Sequence, residues 1–375
     1  MRFTLFVLIT LLAMACSVSQ DKKIEIPVPE AQLESTKVAK NIILLIGDGM
    51  GMGQISAGTY SNNNSSALER FPITGIHKPQ ASSNLITDSA AAATSFACGI
   101  KTYNGAIGVD ADTNAVQTIL EEAELKGLKT GLVASSTIVH ATPASFIAHN
   151  KLRINYEEIA VDFLDTEIEY FVGGGKKFFD RRTIDDRDLV KELEAKDYLI
   201  GNFLTDFSEF KTQIGDNKKV GYLSADSDPL PVAQGRDYLV DAAMTGLKHL
   251  KSQADNGFFI MIESSQIDWG GHANNADYII TEFLEFNNLI GKVLDWAEQD
   301  GETLVVVTAD HETGGFTINP GSTMDSLVTA FTSTKHSGDF IPVFAYGPGS
   351  EQFSGIYENT EIYFKMRTAF GWGDQ

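Results

Sequence analysis

Three apolar runs in this chain end on side chains that can bind a metal. Asp48 follows Ile42 to Ile46, Glu263 follows Phe258 to Ile262, and Asp310 with His311 follows Leu304 to Val307. One acid at such a place reads as a helix cap or a solvated loop. Four acids and histidines at three strand ends read as a site, because ligands of open α/β sheets bind beyond the carboxyl ends of the strands. Of the seven histidines, His272 lies just after Asp268 across Trp269-Gly270-Gly271, a stretch expected to be a glycine-bearing loop that bends both side chains toward one ion. His336 lies in Thr334-Lys335-His336-Ser337-Gly338, whereas His77, His149 and His249 lack such company and read as surface or packing residues. Imidazole and carboxylate together are zinc-type ligands, and their delivery from separate loops fits a catalytic site rather than a closed structural one.

Thr87-Asp88-Ser89 opens the alanine-rich stretch Ala90-Ala91-Ala92-Ala93. Ser89 can be an ordinary cap, or a nucleophile held at the positive end of a helix, where phosphate also binds well. Two glycine-rich stretches carry no such chemistry. Gly47-Asp48-Gly49-Met50-Gly51-Met52-Gly53 lacks the Gly-x-Gly-x-x-Gly frame of a dinucleotide loop, and its carboxylate would repel a pyrophosphate. Gly173-Gly174-Gly175-Lys176 lacks the hydroxyl residue and earlier glycine of a P-loop and reads as a turn.

The elements that must position these residues are apolar runs with the look of buried parallel strands: Ile42 to Ile46, Thr130 to Ser135, Phe258 to Ile262, Leu304 to Val307 and Pro342 to Tyr346. Helical stretches lie between them, at Ala115 to Lys126, Tyr156 to Leu164 and Tyr278 to Ala297. The alternation predicts an α/β fold, a three-layer α/β/α sandwich around a large, mostly parallel central sheet. Residues 41–375 read as one catalytic domain with a peripheral excursion at about 180–228. Before it, Met1-Arg2 and the uncharged run Phe3 to Ala15 read as a signal peptide with its cleavage region over 1–20, followed by a polar leader over 21–40. A periplasmic or secreted location follows. Cys16 stands where a lipid anchor could be attached, though Ala13 replaces the leucine such signals prefer.

Only Cys98 then remains in the folded part, so no internal disulfide is possible and packing or metals must hold the chain. No later stretch has the roughly 20 apolar residues of a membrane span. With 29 basic against 50 acidic residues and a net charge of −21, nucleic acid is excluded as the main partner. An anionic phosphate ester entering such a molecule needs local positive charge, which bound metals can supply.

Ile46-Gly47-Asp48-Gly49-Met50-Gly51, Thr87-Asp88-Ser89-Ala90-Ala91, Ala141-Thr142-Pro143-Ala144, Glu263 with Ile267-Asp268 and His272, Thr308-Ala309-Asp310-His311-Glu312-Thr313-Gly314-Gly315 and His336-Ser337-Gly338 stand in the order of the alkaline phosphatases. From about Asn41 to the C-terminus the chain resembles that family, and most closely its short, cold-adapted bacterial members, including an Antarctic one. The resemblance implies hydrolysis of phosphate monoesters at alkaline pH, through a phosphoserine at Ser89, with two zinc ions and one magnesium per subunit. It assigns Asp268, His272 and His336 to the first zinc and Asp48, Asp310 and His311 to the second. Asp48 would also reach the magnesium, held with Thr142 and Glu263. Arg153 would fork onto the phosphate oxygens, oriented by Asp88. The resemblance also implies a homodimer, with small phosphate monoesters and inorganic phosphate as ligands.

The chain departs from the best-known enterobacterial pattern at His140, where that pattern has aspartate, and at Trp269, where it has lysine. His140 would flank the magnesium without ligating it, and Trp269 would face the substrate. Two other readings remain: a phosphodiesterase or sulfatase on the same sheet and metal pair, and a non-catalytic phosphate- or metal-binding protein.

Overall fold

The computed structural model describes residues 37–215 and 218–373. The signal peptide, Cys16 and most of the polar leader lie outside the described residues. The first eight strands are β1 (Asn41–Gly47), β2 (Ile73–Lys78), β3 (Lys129–Thr137), β4 (Tyr170–Gly174), β5 (Tyr198–Asn202), β6 (Lys219–Leu223), β7 (Phe258–Ser264) and β8 (Thr303–Thr308). After them come the two-residue strands β9 (Glu312–Thr313), β10 (Thr317–Ile318), β11 (Thr329–Ala330) and β12 (His336–Ser337), then β13 (Ile341–Tyr346) and β14 (Gly355–Glu358).

Ten of these form one sheet in the order β14-β2-β13-β8-β1-β7-β3-β4-β6-β5. Alternate residues of its central strands feed two separate cores. Ile42, Leu44 and Ile46 of β1, with Phe259 and Met261 of β7, pack into one. Ile43 and Leu45, with Phe258, Ile260 and Ile262, pack into the other. A strand buried on both faces needs apolar residues throughout, which is why these runs are continuous and show no alternation.

The Ser89–Cys98 and Glu361–Ala369 helices cover the first core, and the amphipathic Tyr238–Gln253 and Ala276–Asp300 helices cover the second. The result is the expected three-layer sandwich. No helix among the described residues is long and apolar enough to cross a membrane.

Two expectations need adjusting, and a third gains detail. The Pro342 to Tyr346 run is a strand, but it lies antiparallel to both β2 and β8. Continuous apolarity reports burial on two faces and carries no information about direction. The helix expected from Ala115 begins only at Ile119, where Thr118 and Glu121 close a capping box. The segment 180–228 carries β5 and β6, which extend the sheet beyond β4.

Candidate active site

β1, β7 and β8 run parallel with β1 in the middle, and the register sets Ile46 beside both Glu263 and Thr308. Asp48, Glu263 and Asp310 therefore lie together at the carboxyl ends of the three strands, Glu263 as the last residue but one of β7. Gly49 turns the chain at once with φ of +71°, and a Cβ there would lie 2.6 Å from Asp268 Cα. Only glycine allows both the left-handed turn and this approach.

Asp268 and His272 are not on a loop. Gln266–His272 is a helix, and the i,i+4 spacing puts both side chains on one face, with His272 Nε2 3.2 Å from Asp268 Oδ2. The two glycines serve packing instead: a Cβ on Gly270 would meet Ile279 N at 2.8 Å, and one on Gly271 would meet Thr313 O at 2.7 Å. The short pair β9–β12 sets His336 opposite Thr313 and brings its ring to this face. His336 Nε2 lies 3.2 Å from His272 Nε2 and 3.6 Å from Asp268 Oδ1.

The outer ring nitrogens fix the tautomer of the neutral rings. His272 Nδ1 lies 2.7 Å from Thr334 O and His336 Nδ1 lies 2.8 Å from Thr87 O. Each carbonyl takes the proton on Nδ1, so when both rings are neutral two Nε2 lone pairs face each other beside a carboxylate. A cation between them relieves that repulsion.

The second group is wholly buried. His311 Nε2 lies 3.1 Å from Asp310 Oδ2 and 3.6 Å from Asp48 Oδ1. The third joins Asp48 to Glu263 and His140, again with ligand atoms within 4.8 Å of one another. Both oxygens of Asp48, Glu263 Oε1 and Asp310 Oδ2 are buried with no hydrogen-bond partner.

Burial first, then the neighbouring Asp310, Asp268 and Glu263, push the Asp48 pKa well up, and burial pushes Glu263 to about 7. Isolated carboxylates are very costly to bury, so orphaned acid oxygens clustered at one point fit resident cations. Thr142 is buried close to Glu263, which it helps to acidify, although outside regular hydrogen-bond geometry. His140 is different: burial and then the Arg153 charge lower its pKa to about 3, so it is neutral.

Ser89 is the first residue of its helix, and the cap is Asp88, whose Oδ1 accepts from Ala91 N at 3.0 Å. Ser89 Oγ is thus free of capping and lies 3.4 Å from His311 Nε2. The other oxygen of Asp88 accepts from Arg153 Nη1 at 3.1 Å, and Arg153 Nη2 donates to His140 Nε2 at 3.3 Å. Trp269 packs edge-on against His140, with ring centroids 6.3 Å apart.

Ser89, Asp88, Arg153, His140, Asp268, Trp269, His272 and His336 line one cleft of about 480 Å³. A larger cavity of about 570 Å³ lies beyond β6, but it holds no histidine and none of these groups.

A family profile described as alkaline phosphatase matches residues 39–330. The chain belongs to the alkaline phosphatase family. It is 33% identical to alkaline phosphatase 3 of Bacillus subtilis, over 89% of this chain and 91% of that one. The solved alkaline phosphatase of the Antarctic bacterium TAB5 is 45% identical and superposes with a TM-score of 0.85, covering 90% of this chain and all of that one. A mutant of the TAB5 enzyme with one histidine changed to glutamate, also 45% identical over the same shares, superposes at 0.84 and has Mg bound in its M3 site. An alkaline phosphatase hydrolyses phosphate monoesters, and this chain is such an enzyme.

The structure adds residues that the sequence did not single out. Thr313 Oγ1 donates to Asp268 and lies 3.3 Å from His311 Nδ1, bridging two of the groups. Buried Glu312 accepts from Gln54 Nε2 at 2.8 Å and from Phe316 N at 3.0 Å, fixing the turn that follows His311. Ser136 and Ser265 both donate to Glu263. His77, read as packing, is buried behind the site with Nε2 2.9 Å from Ala309 O. Glu312 and Thr313 adjoin the histidine motif and could have been found there. Gln54 and His77 carry no local signal.

Proposed function

We propose that the enzyme transfers the phosphoryl group of a monoester to Ser89 and then to water, at a centre of two zinc ions and one magnesium. The observation that carries this is the Ser89 hydroxyl, unused in capping, at a helix N-terminus, 3.4 Å from His311 Nε2 and lining one cleft with Arg153. Asp268, His272 and His336 would hold one zinc, and Asp48, Asp310 and His311 the other. Asp48, Glu263 and Thr142 would hold the magnesium. Metals there would supply Lewis-acid charge neutralisation and acidify the hydroxyls that attack and depart.

The chain's own groups do the rest. The helix N-terminus favours the developing negative charge at Ser89. Asp88 fixes the Arg153 fork, which matches two phosphoryl oxygens and aligns the phosphorus for in-line attack. A loose phosphoryl transition state needs positioning and charge more than covalent help.

Export to the periplasm or medium and a homodimer remain part of the same proposal. The test compares a chromogenic monoester with the matching diester, with and without chelator. Monoester turnover that chelator abolishes is expected. An equal diester rate would favour a phosphodiesterase, and binding without turnover would favour a non-catalytic protein.

His140 and Trp269 make a second test. A neutral imidazole adds no charge beside Asp48 and Glu263, and magnesium prefers oxygen ligands. The third site should therefore hold magnesium loosely. The TAB5 mutant with magnesium in its M3 site, in which a carboxylate replaces a histidine, supports the same reading. Dialysed enzyme is expected to regain activity on adding magnesium, and His140→Asp to need less of it. Trp269→Lys, which brings a cation to the phosphate, should tighten product inhibition. Superimposable magnesium curves for wild type and His140→Asp, or an unchanged phosphate inhibition constant in Trp269→Lys, would place these residues away from the metals.

A further inference from the structure

Arg153 sits on a loop of residues 148–155 that is tied back to the turn 105–108. Arg153 N donates to Gly105 O at 2.8 Å, and Ile107 and Asn150 exchange backbone bonds of 2.9 and 2.8 Å. The same turn is tied to the nucleophile helix, where Thr94 Oγ1 donates to Ala106 O and accepts from Gly108 N, both at 3.1 Å. Arg153 is thus registered to the Ser89 helix through backbone hydrogen bonds and the Thr94 hydroxyl.

At the far end of these contacts sits His149. Its Nδ1 lies 2.7 Å from Gly108 O and its Nε2 lies 2.9 Å from Glu121 Oε1. Both ring nitrogens face acceptors, an arrangement that only the doubly protonated imidazolium satisfies. Gly108 has φ of +58°, and a Cβ there would lie 2.9 Å from His149 Nδ1, so glycine is what admits the ring. The anchor is firm: Glu121 also accepts from Thr118 N at 2.8 Å in the capping box of the Ile119–Leu125 helix. His149 N in turn donates to Asp162 Oδ2 at 3.1 Å.

We propose that His149 is a positioning residue for Arg153: as a cation it clamps the arginine loop, and its deprotonation opens the clamp and loosens the hold on phosphate. The proposal rests on Arg153 being the phosphate-holding side chain. A neutral ring can donate to only one of its two acceptors and turns a lone pair toward the other. Glu121, Glu124, Asp165 and Glu167 line the same cavity of about 510 Å³ as His149, and Asp162 accepts from the His149 backbone. All five are acidic, so the surroundings favour the cation.

Burial opposes the charge, but the Glu121 carboxylate and the Gly108 carbonyl outweigh it and hold the pKa above its ordinary value. A raised value means the clamp is whole below the ordinary imidazole range and is lost as pH rises through the raised one. Above that step the enzyme releases product phosphate more readily than an arginine held at full strength would allow.

The test uses the metal-loaded enzyme and inorganic phosphate as competitive inhibitor, between about pH 6 and 10. Wild type, His149→Gln, Glu121→Gln, Arg153→Ala and the His149→Gln/Arg153→Ala double variant are compared. Wild type is expected to lose about tenfold in phosphate affinity across a step that His149→Gln lacks. Glu121→Gln keeps the helix cap and should move the step to lower pH; it carries the test alone should His149→Gln fail to fold. Once Arg153 is alanine, changing His149 should have no further effect. Identical profiles for wild type and the folded single variants, or additive losses in the double variant, would overturn the clamp. If Arg153→Ala alone leaves phosphate inhibition unchanged, the phosphate-holding assignment falls, and the clamp with it.

Discussion

Ser89→Ala is expected to lower monoester turnover by roughly 10³-fold or more, the scale on which a preorganised site loses its nucleophile and keeps its binding groups. The structure makes this a clean substitution. Asp88, not Ser89, caps the helix, so no backbone bond is lost with the hydroxyl. The three carboxylate–imidazole groups and the Asp88–Arg153 pair do not depend on it either. Melting temperature, metal content and phosphate binding should stay at wild-type values while the rate falls. A variant that keeps wild-type turnover would mean that Ser89 is only the opening residue of a helix.

His311→Ala and His272→Ala should have the second-largest effects, and through different ions. His311 is fully buried, is stacked on His336 with centroids 3.5 Å apart, and faces both Asp48 and Asp310. Removing it leaves two buried carboxylates short of a ligand partner. A loss of about 3–5 kcal/mol is the expected scale when a buried charged network loses one member. His272 is partly exposed, so its loss should cost less in stability but as much in metal.

Each variant is expected to bind about one zinc fewer per subunit and to lose about 10²-fold or more in rate. Metal analysis of the purified proteins decides the matter. Full zinc occupancy in both would show that these rings are not zinc ligands.

Much of this arrangement was legible before any coordinates. The continuous apolar runs at β1, β7 and β8 forced burial on both faces, hence a covered sheet, and the acids at their ends had nowhere to lie except at its carboxyl edge. Four things were not legible, each for a physical reason. The direction of β13 depends on how the chain returns from β12, and its own apolar residues are silent on that. The Asp268–His272 face was hidden by two glycines, which suggest a loop until Ile279 and Thr313 are seen pressed against them. The polar bracing by Gln54 and His77 joins residues more than 230 positions apart in sequence, and a single hydrogen bond leaves no local pattern. His149 read as a surface or packing residue for the same reason: its two acceptors, Gly108 and Glu121, lie 41 and 28 positions away.

The central claim is that phosphoryl transfer passes through Ser89, and it can be read from one covalent bond. Enzyme incubated with labelled phosphate at mildly acidic pH, where hydrolysis of the intermediate is slowed, is quenched, digested and mapped by mass spectrometry. The account predicts one phosphopeptide, carrying the label on Ser89 and absent from Ser89→Ala. A labelled peptide that does not contain Ser89 would contradict it.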